Sequence, residues 1–206
     1  MRPVATGVSR KLTVNPRPNL QHEAFCQGKT KADAATVIAH ATPHIYPPRE
    51  STYSAWVTNA TTEVQKLKIR VRFISVKSGL ELHPAIEKMI DAKAIGTTEV
   101  VNGATPEDEP TVVVSELFDL HGSLVAHDVD WPQPLKHMTF PDRGLKVEIS
   151  GNEELVVSAA KPVKGLFFTT DGVQWSDNCL DIVPGQKLRI VARGLKGQPK
   201  WMYYGM

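Results

Sequence analysis

Lys68-Ile69-Arg70-Val71-Arg72-Phe73-Ile74 alternates basic and apolar side chains at a period of two. Successive side chains of an extended chain point to opposite faces, so the stretch reads as a β-strand with one wet and one dry face. Lys77-Ser78-Gly79 then supplies a turn. Downstream the same grammar repeats. Thr111 to Leu120 and Gly122 to Val129 flank His121-Gly122, and Lys146 to Ile149 and Leu155 to Ser158 flank Ser150-Gly151-Asn152-Glu153. Both arrangements are hairpin chemistry. Gly165 to Thr169, Leu188 to Ala192 and Lys200 to Tyr204 are again short and β-branched or aromatic. Strands follow strands without crossover helices, which predicts an all-β chain built as two consecutive antiparallel sandwiches. Trp131-Pro132-Gln133-Pro134 marks the hinge between them, because two prolines in three residues terminate strand pairing on both sides.

Upstream of residue 51 the composition shifts. Residues 1–50 hold six of the fifteen prolines and a net charge of +4, leaving the remainder at −2. That stretch reads as a partly extended connector with a short helix from Lys31 to His40, where Ala32, Ala34 and Ala35 favour helix. The expected domains are therefore a connector over 1–50, a first sandwich over 51–131 and a second over 135–206.

The whole chain has 206 residues, 41 % hydrophobic and 22 % charged, with a net charge of +2. This is ordinary globular usage. The charge is too small to make nucleic acid or an anionic membrane the expected partner, and no apolar run approaches the roughly 20 residues that cross a bilayer. The N-terminus carries no apolar signal-peptide core, and Pro3, Pro16 and Pro18 would break a presequence helix, so a cytoplasmic protein is expected. Cys26 and Cys179, separated by 152 residues without a third, build neither a zinc ribbon nor a multi-bridge framework and suit a reducing compartment.

Self-contained catalytic motifs are missing. There is no G-x-S-x-G elbow and no phosphate loop, and His22-Glu23 meets Cys26 where a zincin needs its second histidine. Asp119, His121 and Ser123 contain the residue types of a triad, but they crowd one hairpin turn, whereas triads are assembled from separate elements. Glu153 also sits in a turn, with neither a pocket to raise its pKa nor a second carboxylate beside it. His121 and His127 lack the companions of a metal site. Neither a cofactor nor a metal is expected.

The densest signal runs from Trp175 through Ser176, Asp177, Asn178 and Asp181 to Pro184-Gly185. Read as a calcium loop from Asp177, it places Ile182 where glycine is required and Leu188 where glutamate is required. Read structurally, its Asx side chains bond local backbone, Leu180 and Ile182 alternate inward, and Pro184-Gly185 closes a turn. Such a segment suits rigid docking on another surface. Trp56, Trp131, Trp175 and Trp201 suit core or domain-contact roles better than a sugar-stacking platform, because a buried indole needs only one acceptor for its N–H.

Trp131-Pro132-Gln133-Pro134-Leu135-Lys136, Lys161-Pro162-Val163-Lys164-Gly165-Leu166, and Trp175-Ser176-Asp177-Asn178 through Pro184-Gly185 together resemble the C-terminal end of fungal B-type β-mannosidases of glycoside hydrolase family 2. The resemblance covers about residues 51–206, and Ala5 to Lys11 looks like the strand leaving the catalytic barrel of those enzymes. It implies a pair of Ig-like accessory sandwiches that brace a TIM barrel. The two catalytic glutamates of the family lie in that barrel and have no matching positions here, so the isolated chain is expected to be inactive and no catalytic residue is carried over. Trp131, Trp175, Ser176, Asp177, Asn178, Asp181, Pro184 and Gly185 stand as a structural or docking motif. The expected partner is a glycosidase catalytic domain or a second copy, associating through Thr111 to Leu120 and Gly165 to Phe168. The alternatives are a stand-alone carbohydrate-binding or protein-interaction module and one chain of a split β-mannosidase.

Overall fold

A computed structural model describes residues 35–42, 52–105, 109–133, 135 and 138–206. Their regular structure is antiparallel β. Strands β1 (Ala35–Thr42), β2 (Thr52–Asn59) and β5 (Gly96–Ala104) form one sheet in the order β1-β2-β5. β3 (Gln65–Ser75), β4 (Ile86–Ala92), β6 (Thr111–Phe118) and β7 (Leu124–Asp130) form a second, ordered β4-β3-β6-β7. Tyr53, Ala55 and Val57 of β2 meet Leu67, Ile69, Val71 and Phe73 of β3 and Val113 and Leu117 of β6 in one core. Tyr53 and Phe73 cross edge to face at 5.0 Å. The dry face read from Lys68 to Ile74 is thus the inner face of this first sandwich.

The helix expected from Lys31 to His40 is corrected where it is described: Ala35–Thr42 is a strand. It pairs with β2 along its whole length, from Ala35 opposite Asn59 to Thr42 opposite Thr52. Thr36, Val37, Ile38 and Thr42 are β-branched, and eight ladder partners outweigh alanine's helix preference of a few tenths of a kcal/mol per residue. Part of the expected connector therefore belongs to the first sandwich. The strand expected at Ala5 to Lys11 lies outside the described residues.

The second sandwich is built from shorter strands. β8 (Lys146–Ile149), β9 (Glu154–Ser158), β11 (Gln174–Trp175) and β13 (Leu188–Arg193) pair in the order β11-β13-β9-β8. β10 (Val163–Phe168), β12 (Leu180–Ile182) and β14 (Trp201–Met202) pair as β12-β10-β14. Leu155, Val157, Leu166, Phe168, Ile182 and Ile190 fill its core. Both expected hairpins form, with turns between β6 and β7 and between β8 and β9. Cys179 is disulfide-bonded, against the reduced thiol expected there.

Candidate functional site at the seam between the sandwiches

The alternation in β3 predicted a wet face carrying Lys68, Arg70 and Arg72. Lys68 is 40 % exposed, but the Arg72 side chain is only 9 % exposed and Ile74 is fully buried. The reason is a third apolar cluster. Ile74, Val112 and Val114 on the outer face of the first sandwich, with Val76 from the following turn, pack against Phe140 and Val183. Trp131, Leu135, Met138 and Val129 border the cluster. The Phe140 ring meets Trp131 at 6.0 Å and Tyr204 edge-on at 5.4 Å. The second sandwich therefore covers one end of a sheet face that would otherwise face water. The expected free apolar surface over Thr111 to Leu120 and Gly165 to Phe168 is largely buried: Val112 and Val114 in this cluster, Val113 and Leu117 in the core of the first sandwich, and Leu166 and Phe168 in that of the second.

An ionic group stands at the border of this cluster. Glu116 accepts four hydrogen bonds: Oε2 from Arg70 Nε at 2.8 Å and Arg72 Nε at 3.1 Å, Oε1 from Arg72 Nη2 at 3.2 Å and Gln186 Nε2 at 3.1 Å. Arg72 thus grips the carboxylate two-pronged, the geometry that makes guanidinium–carboxylate pairs strong. Its remaining nitrogen, Nη1, donates to Glu81 Oε1 and to the Pro184 carbonyl, both at 3.2 Å. Burial raises the Glu116 pKa, but the Arg70 hydrogen bond, the Arg72 charge, the Gln186 amide and the Arg70 charge outweigh it and hold the carboxyl below its ordinary value. Pro184 and Gln186 belong to the second sandwich, so Arg72 and Glu116 bond across the seam.

Val183-Pro184-Gly185-Gln186 makes those cross-bonds available. Gln186 N donates to Val183 O at 3.2 Å, and Gly185 has φ +85°, the pattern of a type II turn with proline first and glycine second. The turn presents the Pro184 carbonyl to Arg72. Next to it, Asp181 collects Trp131 Nε1 at 3.0 Å, Lys164 Nζ at 2.7 Å and Gly165 N at 2.8 Å. The Trp-Pro hinge is therefore pinned at its first residue. Its Gln133 Oε1 also accepts from Thr111 N at 3.1 Å.

The other residues of the expected docking motif act within the second sandwich. Trp175 stacks on Phe168 at 4.6 Å and 17°. Ser176 Oγ accepts from Val191 N, Asp177 Oδ1 from Asn178 N, and Asn178 spans Phe168 by accepting from its N–H and donating to its carbonyl. Asp177 Oδ1, Asn178 Oδ1 and both Asp181 carboxylate oxygens accept hydrogen bonds from protein donors. Asp119 likewise binds the backbone N–H groups of His121 and Ser123 in a turn, and Ser123 first among them lowers its pKa. Glu153 accepts from Gly194 N at 3.0 Å. Among the described residues no group of three His, Cys, Asp or Glu side chains is placed to hold a metal.

Two features of the seam carry no local signature in the sequence. Arg143 is fully buried; its Nε donates to Pro162 O at 2.9 Å, its Nη2 to Val76 O, and its guanidinium lies 5.4 Å from the Phe140 ring centre. Burial lowers its pKa against the opposing influence of Tyr203 and Asp142. Gly79, with φ +80°, lies so close to the second sandwich that a Cβ would stand 2.2 Å from Ala160 O. In its contacts the seam is a joint that holds the two sandwiches against each other.

Residues 51–137 match the family described as Mannosidase Ig/CBM-like domain. The chain is 41 % identical over 161 residues to Beta-mannosidase B of Emericella nidulans and 38 % identical over 170 residues to that of Aspergillus niger. These alignments cover 74 % and 78 % of this chain but only 19 % and 20 % of those proteins. Among solved structures, a β-D-mannosidase from Dictyoglomus thermophilum is similar with a TM-score of 0.61 and 14 % identity, covering 82 % of this chain and 21 % of that one. An exo-chitosanase from Amycolatopsis orientalis follows at 0.55 and 14 %, covering 74 % of this chain and 24 % of that one. At such identities the two structures speak for the fold alone. Residues 51–137 thus resemble a mannosidase Ig/CBM-like domain, and along about three quarters of its length the chain is similar to about a fifth of the Beta-mannosidase B proteins.

Proposed function

We propose that this chain is a non-catalytic accessory part of a β-mannosidase-like glycoside hydrolase of family 2, and that it braces a catalytic domain. The observation that supports this reading most is the seam. A brace must hold two sandwiches in one fixed relation, and here the connection is tied by Arg72 to Pro184, Gln186 to Glu116, Trp131 to Asp181 and Arg143 to Val76. Linked domains that share only a small polar contact move relative to one another by default. The similarity to about a fifth of each Beta-mannosidase B relative is the second support. Glycoside cleavage needs two carboxylates about the scissile bond, 5 to 9.5 Å apart by the usual ranges. The buried carboxylate Glu116 is instead saturated by two arginines and an amide, and Glu153 is tied to a backbone N–H. The purified chain should leave a chromogenic β-mannoside intact. Added to a Beta-mannosidase B catalytic portion, it should bind and raise that portion's melting temperature. Turnover that co-purifies with the chain and vanishes in Glu153→Gln, or failure to bind any such portion, would overturn the reading.

A carbohydrate-binding module is the second reading. Gln174, Trp175, Ser176, Val191 and Arg193 line a depression of about 250 Å³, in which an indole meets polar side chains. Because Trp175 also stacks on Phe168 within the second core, Trp175→Ala should cost about 3 kcal/mol of stability, at the low end for a large aromatic because the ring is half-buried. Unchanged stability together with lost mannan binding would favour the module.

A further inference from the structure

The sheet face that forms the seam does not end there. Directly opposed residues of antiparallel strands share a face. Met89 of β4 stands opposite Lys68 of β3, Lys68 opposite Phe118 of β6, and Phe118 opposite Leu124 of β7. These four make a transverse row across the whole sheet, about 15 Å wide at the usual strand spacing. The next row toward the seam is Glu87, Arg70, Glu116 and His127, and beyond it come Arg72, Val114 and Val129. One face therefore runs from a buried apolar end, through an ionic belt, to a second apolar row that nothing in the described chain covers. Met89 is 57 % exposed and Leu124 47 %. The charges in and beside that row are already engaged: Lys68, within it, pairs with Glu87 at 2.8 Å, and Arg70, beside it, lies over the Phe118 ring at 5.0 Å while bonding Glu116. What the row offers outward is the Met89 thioether, the Leu124 isobutyl group and the part of the Phe118 ring that Arg70 leaves open, with the ion-paired Lys68 between Met89 and Phe118.

We infer that the Met89–Phe118–Leu124 row is the line along which this chain docks on the catalytic portion of a β-mannosidase-type polypeptide. The inference rests on the accessory reading above and locates its contact. Two observations select the occupant. The row continues the face on which the second sandwich is already seated, so a body placed there shares the ionic belt of that seam. The Beta-mannosidase B relatives are about five times longer than the part this chain matches, which leaves most of such a polypeptide available as the covering body. With its charges internally paired, the row favours an apolar ridge over a polyanion or a polycation.

The test co-expresses the tagged full chain with Emericella nidulans Beta-mannosidase B from which the matched 161-residue region is deleted. Retention of the deleted enzyme is measured for the wild type, for the double variant Met89→Lys/Leu124→Lys, and for Ile149→Lys, an exposed site on β8. Wild type and Ile149→Lys should retain it, and the double variant should lose at least tenfold in apparent affinity with its own melting temperature unchanged. Retention by all three would overturn the docking line and leave the accessory reading standing. No retention by any would overturn both. Should sedimentation show that the wild type self-associates and that the double variant does not, the row is an interface between copies and the proposed occupant is wrong.

Discussion

The two sandwiches solve the same backbone problem by different means. The first uses strands of seven to eleven residues, with β3 in unbroken register against both β4 and β6. In the second the strands shrink to between two and six residues, and β10 bends between Val163 and Leu166 around Gly165 at φ +61°. Short ladders leave N–H and C=O groups without ladder partners, and buried groups of this kind must be paired. Side chains do it here: Asn178 pairs both groups of Phe168, Asp181 takes Gly165 N, Ser176 takes Val191 N and Thr170 takes Lys200 N. Stability in the first sandwich is thus spread along ladders. In the second it is concentrated in individual polar residues, and at the seam in an apolar cluster bordered by the Glu116 ionic group and the Asp181 contacts.

The sharpest way to break this comparison is at the seam. Arg72→Met keeps much of the side chain's length but leaves Glu116 with only Arg70 and Gln186 in a nearly buried site. Removing one partner of a buried pair costs about 3 to 5 kcal/mol, chiefly because the other charge stays behind. Urea unfolding followed by tryptophan fluorescence should show that loss, and Trp131 should respond because its indole bonds Asp181 across the seam. A loss below about 1 kcal/mol would mean that the sandwiches are held by the Phe140 cluster alone, with the ionic group a bystander. The double variant Arg72→Met/Glu116→Met separates the two cases. Replacing both partners by apolar groups should recover much of the loss.

The difference between ladder and staple can be sharpened with a pair of single substitutions. Asn178→Ala strips the N–H and C=O of Phe168 and the N–H of Cys179 of their partner. It should destabilise by about 2 kcal/mol, within the usual range for orphaned, partly buried polar groups. Thr58→Ala removes one side-chain bond, to Thr97 at 3.0 Å on an exposed ladder, and should fall within about 0.5 kcal/mol of wild type. Equal costs at the two sites would erase the distinction.

What the sequence made legible follows the same division. The strand at Lys68 to Ile74 with its dry face, the hairpin turns at His121-Gly122 and Ser150 to Glu153, and the local backbone bonds of the Asx cluster at Asp177 to Asp181 are local signals that the structure reproduces; the wet face of that strand is not reproduced at Arg72 and Ile74. Ala35–Thr42 misled because alanine's preference is local while its partner, β2, is not. The seam was legible only in part. Pro184-Gly185 marks the turn that the structure shows. Arg72 looked like one more solvated cation of an alternating strand, because its burial depends on Pro184, 112 residues away. Glu116 stands in an apolar run, and Arg143 follows Asp142 in what reads as loop. A basic or acidic residue inside a mostly apolar β-segment was the available clue, and it indicates a buried pair only once a second one is found to face it.

The smallest expected effect tests whether the Glu116 group gives the seam a charge-dependent component. Glu116 titrates below its ordinary value of 4.5 in the folded chain, since its two arginines and Gln186 outweigh the cost of burial. A carboxylate with a depressed folded pKa contributes stability that is fully present above the unfolded value and is lost as pH falls through the folded one. Stability should therefore be flat with respect to this group above about pH 5 and decline on acidification below the ordinary carboxylate range. Asp119 is lowered as well, but it lies in an exposed turn of the first sandwich, where solvent and salt screen its contribution. In Glu116→Gln the amide cannot gain a proton, so the variant should lose less stability than wild type between about pH 6 and pH 3, although it starts lower. Urea midpoints at those two values measure the difference directly. Parallel losses in the two proteins would place the acid sensitivity elsewhere and reduce Glu116 to a neutral hydrogen-bond acceptor in the joint.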